Sequence, residues 1–335
     1  MRIGIIGLGA IGGVLAARLL RSRPPGEEIA LAAGSDKAAA AIRASGLRIG
    51  GEPTVPAPPL LAAALSPGSY DLMLLCTRTD AIDGALAGNA PLLAASGALV
   101  CLQNGLPEER VAVRVGAART LGAVIGWSAS SEAYGEYVLT GSGKFTLGAA
   151  APQAADKLPM AAEVLQRAFP VRITENLRGA RWSKLAMNCA LSTLGTISGL
   201  DFGQLAARGD ARRLAMRIVG EAAAVARARG VRLEKVAGLD PHWVEPGALP
   251  APLQHALIWL AARRRPRQRS GMLQRLLAGR PAGQIDDLNG AVAEAARASG
   301  MQAPLNAWLR DLVHAIERGE QRIGPHQLER TAAML

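Results

Sequence analysis

The sequence has few of the residues that build disulfides or metal sites. Its three cysteines (Cys76, Cys101 and Cys189) lie in apolar segments without paired spacing, so we expect reduced thiols in the protein core. The four histidines are scattered and lack the spacing of metal ligands, and we therefore predict no metal. No stretch is both long enough and free enough of charges and helix breakers to cross a bilayer.

The N-terminal segment superficially resembles a secretory signal because Arg2 precedes an apolar run. Five glycines interrupt that run within the first thirteen residues, and glycine supports the helical core of a signal peptide poorly. We therefore expect a cytoplasmic protein.

Aromatic residues are also scarce, at 3% of the chain, although the net charge is +11. The densest basic run is Arg263–Arg269, and no nucleic-acid motif accompanies it. These features favour a solvated basic segment near the active site, or attraction of anionic ligands, so we predict a small-molecule partner and neither nucleic acid nor membrane. The sequence leaves a homodimer open, as well as the role of residues 236–269 as a lid, an insertion or an interface.

The order of apolar segments predicts an α/β domain followed by a helical domain. With 335 residues and half of them hydrophobic, the chain can form two cores. Short apolar strands alternate with Ala-rich helices, which indicates a parallel, doubly wound Rossmann sheet. We expect strands at Ile3–Ile6, Glu28–Ala33, Tyr70–Cys76, Ala98–Leu102 and Arg119–Gly126.

Two hairpins are predicted in addition to the parallel strands. Leu47–Ile49 would pair with Thr54–Val55, and Glu136–Thr140 with Lys144–Leu147 across a Gly-Ser-Gly turn. Strand signals end near residue 175, so we expect a dinucleotide-binding domain over 1–175 and an all-helical substrate domain over 176–335. Within the latter, Val236–Pro252 is rich in Pro and Gly and predicts a loop or an insertion.

A glycine-rich turn joins the first strand to the first helix. Its residues are Gly7-Leu8-Gly9-Ala10-Ile11-Gly12. In such a turn the first glycine permits the tight bend, the second lets the backbone approach a pyrophosphate, and the third allows close packing of helix on strand. The helix N-terminus then offers amide groups and a positive dipole end to the phosphates. The turn predicts a dinucleotide site.

The end of the second strand bears on which dinucleotide binds. NAD-binding sites usually have an acidic residue here that holds the ribose 2′-hydroxyl, but this strand ends in Ala33-Gly34. Ser35 and Lys37 follow and are suited to a 2′-phosphate, whereas Asp36 could face the ribose or cap the next helix. We therefore predict NADP(H).

A stripe of polar side chains marks one apolar helix of the second half. Lys184, Asn188 and Ser192 are spaced by four residues and so share one helical face. A lysine beside a nicotinamide site can stabilise the oxygen of a carbonyl under reduction and then protonate it, while an amide can hold the substrate. Arg181, on the same helix, is predicted to lie at the surface.

These residues resemble those of the ketopantoate reductases (2-dehydropantoate 2-reductases) over nearly the full length. The resemblance rests on Gly7–Gly12, Gln103-Asn104-Gly105, Thr140–Gly143, Trp182–Cys189, and the stretch from Ser270 through Gly279-Arg280-Pro281 to Gly290. It implies NADPH-dependent reduction of a small 2-oxo acid in pantothenate biosynthesis, with ketopantoate or a relative as substrate. It further implies Lys184 as general acid, Asn188 as substrate ligand and Asn104 as a contact at the nicotinamide end.

The chain departs from the family pattern at several positions. Arg78 stands where the family commonly has a lysine, which keeps the charge but changes its shape. On the substrate side, Ser192 replaces an asparagine, Ser270-Gly271 replaces a serine pair, and Gln284 replaces a carboxylate. By the resemblance, Arg78 is a cofactor contact, and Ser192, Ser270 and Gln284 are substrate contacts.

Two other functions remain open from the sequence. A β-hydroxyacid dehydrogenase also combines a Rossmann domain with Lys-x-x-x-Asn on a helix, but its glycine-rich lead-in is absent before Lys184. The other alternative is an NADP-binding sensor or a degenerate reductase without catalysis, and it is suggested by Gly271 and Gln284.

Overall fold

The computed structural model describes residues 1–58, 60–61, 69–235, 240–262 and 267–333. The chain forms two compact units. The first comprises Met1–Gln103 and Pro107–Leu177, and the second comprises Asn104–Leu106 and Arg178–Leu335. The first unit ends at Leu177, and the sequence predicted a domain boundary near residue 175. The assignment of Asn104–Leu106 to the second unit was not predicted.

An eight-stranded sheet forms the first unit, in the order β11-β10-β7-β6-β5-β1-β2-β4. Neighbouring strands are parallel except β10 and β7. The strands are β1 (Arg2–Ile6), β2 (Glu28–Ala32), β4 (Leu60–Leu61), β5 (Tyr70–Leu75), β6 (Leu93–Cys101), β7 (Thr120–Ile125), β10 (Phe145–Ala149) and β11 (Val171–Ile173). A smaller sheet has the order β3-β9-β8, with β3 (Arg48–Ile49), β8 (Ser128–Ala133) and β9 (Glu136–Gly141).

Both faces of the large sheet are covered, as the continuous apolar runs predicted. Along β5, Leu72 and Leu74 belong to one hydrophobic core, whereas Met73 and Leu75 belong to another. The helices of this unit are α1 (Ala10–Arg21), α2 (Asp36–Ser45), α3 (Ile82–Asn89), α4 (Glu108–Val115) and α5 (Leu158–Gln166). The predicted doubly wound Rossmann sheet is thus confirmed.

The strand order indicates that a ligand would bind at the end of β1. From β1 the chain passes to β2 on one side and, later, to β5 on the other, so the direction of winding reverses between β1 and β5. In open α/β sheets, ligands bind beyond the carboxyl ends of the strands at such a reversal. The glycine turn leaves β1 at this point.

Neither predicted hairpin forms as expected. β9 pairs with β8 and β3, whereas β10 pairs with β7 and β11, so the predicted hairpin partners lie in different sheets. Local turn residues signal only that the chain bends, and here the bend leads from one sheet to the other. Leu47 and Val55 form a single antiparallel bridge, while Arg48–Ile49 pairs in parallel with β9.

The second unit is helical, and no strand occurs among its described residues, which confirms the predicted all-helical domain. Its helices are α6 (Leu177–Ser198), α7 (Phe202–Ala207), α8 (Gly209–Ala228), α9 (Ala251–Ala262), α10 (Gly271–Leu277), α11 (Ala291–Ala298), α12 (Pro304–Glu317) and α13 (His326–Ala332), with a π-helical turn at Asp286–Gly290.

Parts of two predicted segments lie outside the described residues. Residues 236–239 of the predicted loop and 263–266 of the basic run are among them. The described part of the loop contains a 3₁₀ turn at Pro241–Val244, and α9 begins at Ala251. In the described part of the chain, no helix is long and apolar enough to cross a membrane.

Candidate active site

The turn after β1 requires glycine at two of its three glycine positions. Gly7 has a φ of 93°, and a Cβ there would lie 2.9 Å from the backbone nitrogen of Thr77. A Cβ at Gly12 would lie 1.9 Å from the carbonyl oxygen of Gly7. Because both obstructions are backbone atoms, side chains at these positions would force the turn apart.

Gly9 differs from these two glycines because it faces open space. It is exposed, it is the N-cap of α1, and no atom lies within 4 Å of the position of its Cβ. The first amide groups of a helix have no acceptor within the helix and are available to an anion. The turn therefore offers a cradle without side chains at the positive end of α1, which fits a dinucleotide pyrophosphate.

Tyr137, on β9, supports this turn and was missed in the sequence analysis. Its ring occupies the space beside Gly13, where a Cβ would lie 1.9 Å from the ring carbon Cζ. Its hydroxyl donates a hydrogen bond of 3.0 Å to the carbonyl oxygen of Leu8. Burial raises the pKa of Tyr137 to about 12, which keeps it a neutral donor. The sequence signal was the fourth glycine, Gly13, because a helix needs glycine where a large side chain approaches it closely.

The end of β2 carries no acidic side chain. Ala32 and Ala33 are buried there. Ser35 is the N-cap of α2, and its Oγ accepts a hydrogen bond from the Ala38 amide at 3.2 Å. Asp36 is therefore the first helical residue and not the cap, which removes one of its two predicted roles. Ser35, Asp36 and Lys37 are all exposed at the start of α2.

Arg78 follows β5 and is half-exposed. Its Nε donates to Oδ1 of Asp80 at 3.0 Å, so the guanidinium is held by an acidic neighbour two residues away. A phosphate contact by Arg78 would compete with this ion pair.

The polar stripe of the second unit lies along the partly exposed face of α6. Between Arg181 and Ser198, every residue is buried except five of intermediate exposure: Lys184, Met187, Asn188, Leu191 and Ser192. Their spacing of three and four residues forms one continuous line on the helix. The three predicted polar residues thus share one accessible face, flanked by two apolar side chains.

Arg181 lies on the same helix but is buried. Only 2% of the residue is exposed, so the prediction of a surface arginine is wrong. Ser183 is also fully buried, and its Oγ accepts a hydrogen bond from the Glu234 amide at 2.9 Å. Spacing did not predict the burial of Arg181, because this residue precedes Lys184 by three positions and so lies close to the same helical line.

Asn104 and Gln284 are brought together in the second unit. The Nδ2 of Asn104 donates to the Oε1 of Gln284 at 3.4 Å. Gly105 has a φ of 79°, and a Cβ there would lie 2.8 Å from the carbonyl oxygen of Asp287. The short segment that follows β6 therefore packs closely against the π-helical turn after Gln284.

The π-helical turn is in turn fixed to α6 by buried hydrogen bonds. Asn289 accepts from the Thr193 hydroxyl at 2.6 Å and donates to the Cys189 carbonyl at 3.2 Å. It also donates to Asn306 on α12 at 3.0 Å. Through this network the segment with Gln284 is attached to the helix of Lys184, at the residue that follows Asn188.

Ser270 contacts α6 one turn beyond Ser192. It is 1% exposed, and its hydroxyl lies 2.9 Å from that of Thr196, which is also buried. A direct contact between Ser270 and a substrate would require this pair to open. Gly271, the next residue, has no atom within 4 Å of the position of its Cβ.

The fold and these sites define a Rossmann dinucleotide-binding protein with a separate helical unit that carries an accessible Lys-x-x-x-Asn stripe. The profile of the ketopantoate reductase PanE/ApbA family matches residues 3–152, and that of the PanE/ApbA C-terminal domain matches residues 176–317. The chain belongs to the ketopantoate reductase family of oxidoreductases.

Individual relatives agree with this assignment. A 2-dehydropantoate 2-reductase from Mesorhizobium japonicum is 28% identical and covers 95% of this chain and 99% of its own length. A PanE/ApbA family ketopantoate reductase from Ralstonia eutropha JMP134 is 28% identical, with a TM-score of 0.77 over 96% of this chain and 100% of that chain. The structure of D-mandelate dehydrogenase with NADH and anilino(oxo)acetate, at 23% identity, shares the fold with a TM-score of 0.82 over 95% of this chain and 99% of that chain.

Proposed function

We propose that the protein is an NADPH-dependent reductase of a small 2-oxo acid, with ketopantoate or a close relative as substrate. The observation that carries the proposal is the accessible line of Lys184, Asn188 and Ser192 on the partly exposed face of α6. Family membership supports the reaction class, and the relative from Mesorhizobium japonicum is named a 2-dehydropantoate 2-reductase.

The preference for NADPH rests on the residues after β2. An acidic residue that would repel a 2′-phosphate is missing from the end of the strand, and Ser35 and Lys37 are exposed at the N-terminus of α2. A hydroxyl, an ammonium and a helix dipole together favour a phosphate group. Asp36 opposes this preference, so we expect a moderate discrimination against NADH and not an absolute one.

In the proposed reaction, Lys184 acts as the general acid. A bound nicotinamide supplies hydride to the carbonyl carbon of the substrate. The Lys184 ammonium donates a hydrogen bond to the carbonyl oxygen, stabilises the negative charge that develops there and then transfers its proton to that oxygen. Asn188, one turn further along α6, holds the polar groups of the substrate, and Ser192 extends the same row of donors.

Gln284 completes the proposed substrate side, and its Oε1 accepts a hydrogen bond from Asn104, the proposed contact at the nicotinamide end. Gln284 can accept a hydrogen bond from a substrate hydroxyl or from Lys184, but it carries no charge to pair with the ammonium. The chain therefore differs from the family pattern where the substrate would contact it, and we propose that its preferred 2-oxo acid is defined by this neutral amide.

Spectrophotometric turnover with a panel of 2-oxo acids tests the proposal. We expect NADPH oxidation with ketopantoate or a related branched 2-oxo acid, and a higher kcat/KM with NADPH than with NADH. Tight NADPH binding without turnover on any substrate of the panel would contradict the reductase and favour a sensor.

A further inference from the structure

The segment that carries Gln284 is held at both ends by one helix. The Ala282 amide donates to Oε1 of Glu317 at 2.7 Å, and Asp286 Oδ1 lies 3.0 Å from His314 Nε2. His314 and Glu317 stand one turn apart in the last part of α12, and His314 Nδ1 lies 2.7 Å from Glu317 Oε2. The two anchors thus flank Gln284 by two residues on each side.

We propose that Glu317 and His314 are positioning residues that fix the Gln284 amide against Asn104, so that they control substrate affinity without touching the substrate. The proposal rests on the proposed role of Gln284 as a substrate contact. We call Glu317, His314 and Asp286 the α12 clamp.

The geometry of the clamp requires a doubly protonated imidazole. Both ring nitrogens of His314 face carboxylate oxygens, which only accept hydrogen bonds when ionised. A neutral imidazole carries one N–H and can satisfy only one of them. Burial lowers the pKa of His314, but its hydrogen bonds to Asp286 and Glu317 raise it by more, and the net pKa lies above its ordinary value.

Exposure identifies the stronger anchor of the clamp. The side chain of Asp286 is 69% exposed, whereas that of Glu317 is 19% exposed. An ion pair in water contributes little, so the His314–Asp286 contact is the weaker one. Glu317 accepts from both the Ala282 amide and His314, and Ala282 is fully buried.

Other charged groups also lie beside the clamp, among them Arg275, whose Nε donates to the Pro281 carbonyl at 2.8 Å. On α12, Arg310 packs against Gly290 of the π-helical turn, and Arg318 pairs with Glu320 at 2.8 Å while attracting Glu317. The carboxylates of Asp286 and Glu317 are the groups that face the ring of His314.

Apart from the clamp, a hydrogen bond of 3.1 Å from the Leu288 amide restrains the backbone of Gln284. Gly283 immediately precedes it and has a φ of 81°, a conformation that glycine adopts without strain. Displacement of Gln284 by a fraction of an ångström would lengthen its bond to Asn104, which is 3.4 Å already. The clamp therefore acts on a side chain at which this chain departs from the family pattern.

Two substitutions at Glu317 separate the backbone anchor from the charge. Glu317→Gln keeps a carbonyl oxygen for the Ala282 amide but loses the charge that faces His314, whereas Glu317→Ala removes both contacts. We expect the KM for the 2-oxo acid to rise by about tenfold in Glu317→Ala and by about threefold or less in Glu317→Gln, with kcat changed less than KM. Glu320→Ala removes an exposed carboxylate nearby and is the matched control.

The pH dependence distinguishes the clamp from a purely structural contact. Because the folded pKa of His314 is raised, the clamp is complete below its ordinary pKa near 6.5 and is lost as pH rises through the raised value. The KM of the wild-type protein for the 2-oxo acid should therefore increase as the pH rises through the folded pKa of His314. Glu317→Gln should move this increase to lower pH, and His314→Gln should abolish it.

A double-mutant cycle and amide exchange decide the proposal. If the clamp acts through Gln284, Glu317→Ala should raise KM little further in a Gln284→Ala background. Hydrogen exchange of residues 282–290 should be faster in Glu317→Ala than in wild type or Glu320→Ala. Additive effects on KM or unchanged exchange would overturn the clamp. Lack of wild-type turnover on 2-oxo acids would instead contradict the proposed function, and exchange would still test the clamp.

Discussion

Gly9→Ala provides the sharpest test of the dinucleotide site, because the structure predicts weaker cofactor binding with almost unchanged stability. The Cβ of an alanine would meet no atom within 4 Å, and the backbone of Gly9 (φ −70°, ψ −167°) is accessible to any residue. The free energy of unfolding of the protein without cofactor should therefore change by no more than about 0.5 kcal/mol.

Binding should respond differently because the new methyl group occupies the space assigned to the pyrophosphate. We expect the Kd for NADPH to rise at least about tenfold, equivalent to about 1.4 kcal/mol. Gly12→Ala provides the contrast, since its Cβ would lie 1.9 Å from the Gly7 carbonyl oxygen. Such overpacking costs about 1–3 kcal/mol, so this variant should lose both stability and affinity.

Fluorescence titration with NADPH and thermal unfolding without cofactor measure the two effects separately. Gly51→Ala is the matched control, because Gly51 is exposed and also has no atom within 4 Å of its Cβ position. A Gly9→Ala protein that binds NADPH within twofold of Gly51→Ala would refute the assignment of the pyrophosphate to this turn.

Three further predictions concern single side chains. Tyr137→Phe removes the hydrogen bond to the Leu8 carbonyl and should weaken NADPH binding about fivefold in the same titration, whereas an unchanged Kd would argue against support of the turn by this hydroxyl. Gln284→Glu should raise kcat/KM for ketopantoate about tenfold relative to other 2-oxo acids, and an unchanged ratio would show that this position does not select the substrate. Burial and the Arg212 guanidinium lower the pKa of His255, so the folded protein should lose stability as pH falls below about 6.5. Denaturant unfolding at several pH values should show a shallower loss of stability in His255→Gln than in wild type. An equal pH dependence in the two proteins would contradict the assignment of this loss to His255.

Much of the fold could be predicted from periodicity and glycine placement. The apolar runs of β5 and β6 identified strands buried on both faces, and the loss of such runs after residue 175 identified the helical unit. β8 was missed because Ser128–Ala133 has no hydrophobic alternation and is exposed or half-exposed along its length. Its pairing with β9 depends on contacts distant in sequence, and no local pattern encodes them.

In the candidate site, too, local spacing could be predicted from the sequence, whereas contacts between distant residues could not. The spacing of Lys184, Asn188 and Ser192 predicts a shared face, and the helix has one. The sequence could not show that Asn104 lies against Gln284, because 180 residues separate them. Nor could it show that Ser270 is buried against Thr196, since a serine before a helix is compatible with either a cap or a ligand contact.

Turnover of Lys184 variants tests the central claim most directly. Lys184→Arg keeps a positive charge, but the pKa of an arginine is too high for proton donation. Lys184→Ala removes both the charge and the proton donor. We predict that kcat with NADPH and the preferred 2-oxo acid falls by about 10²–10⁴-fold in both variants while the Kd for NADPH is unchanged. Near wild-type turnover in Lys184→Ala would contradict the proposed mechanism.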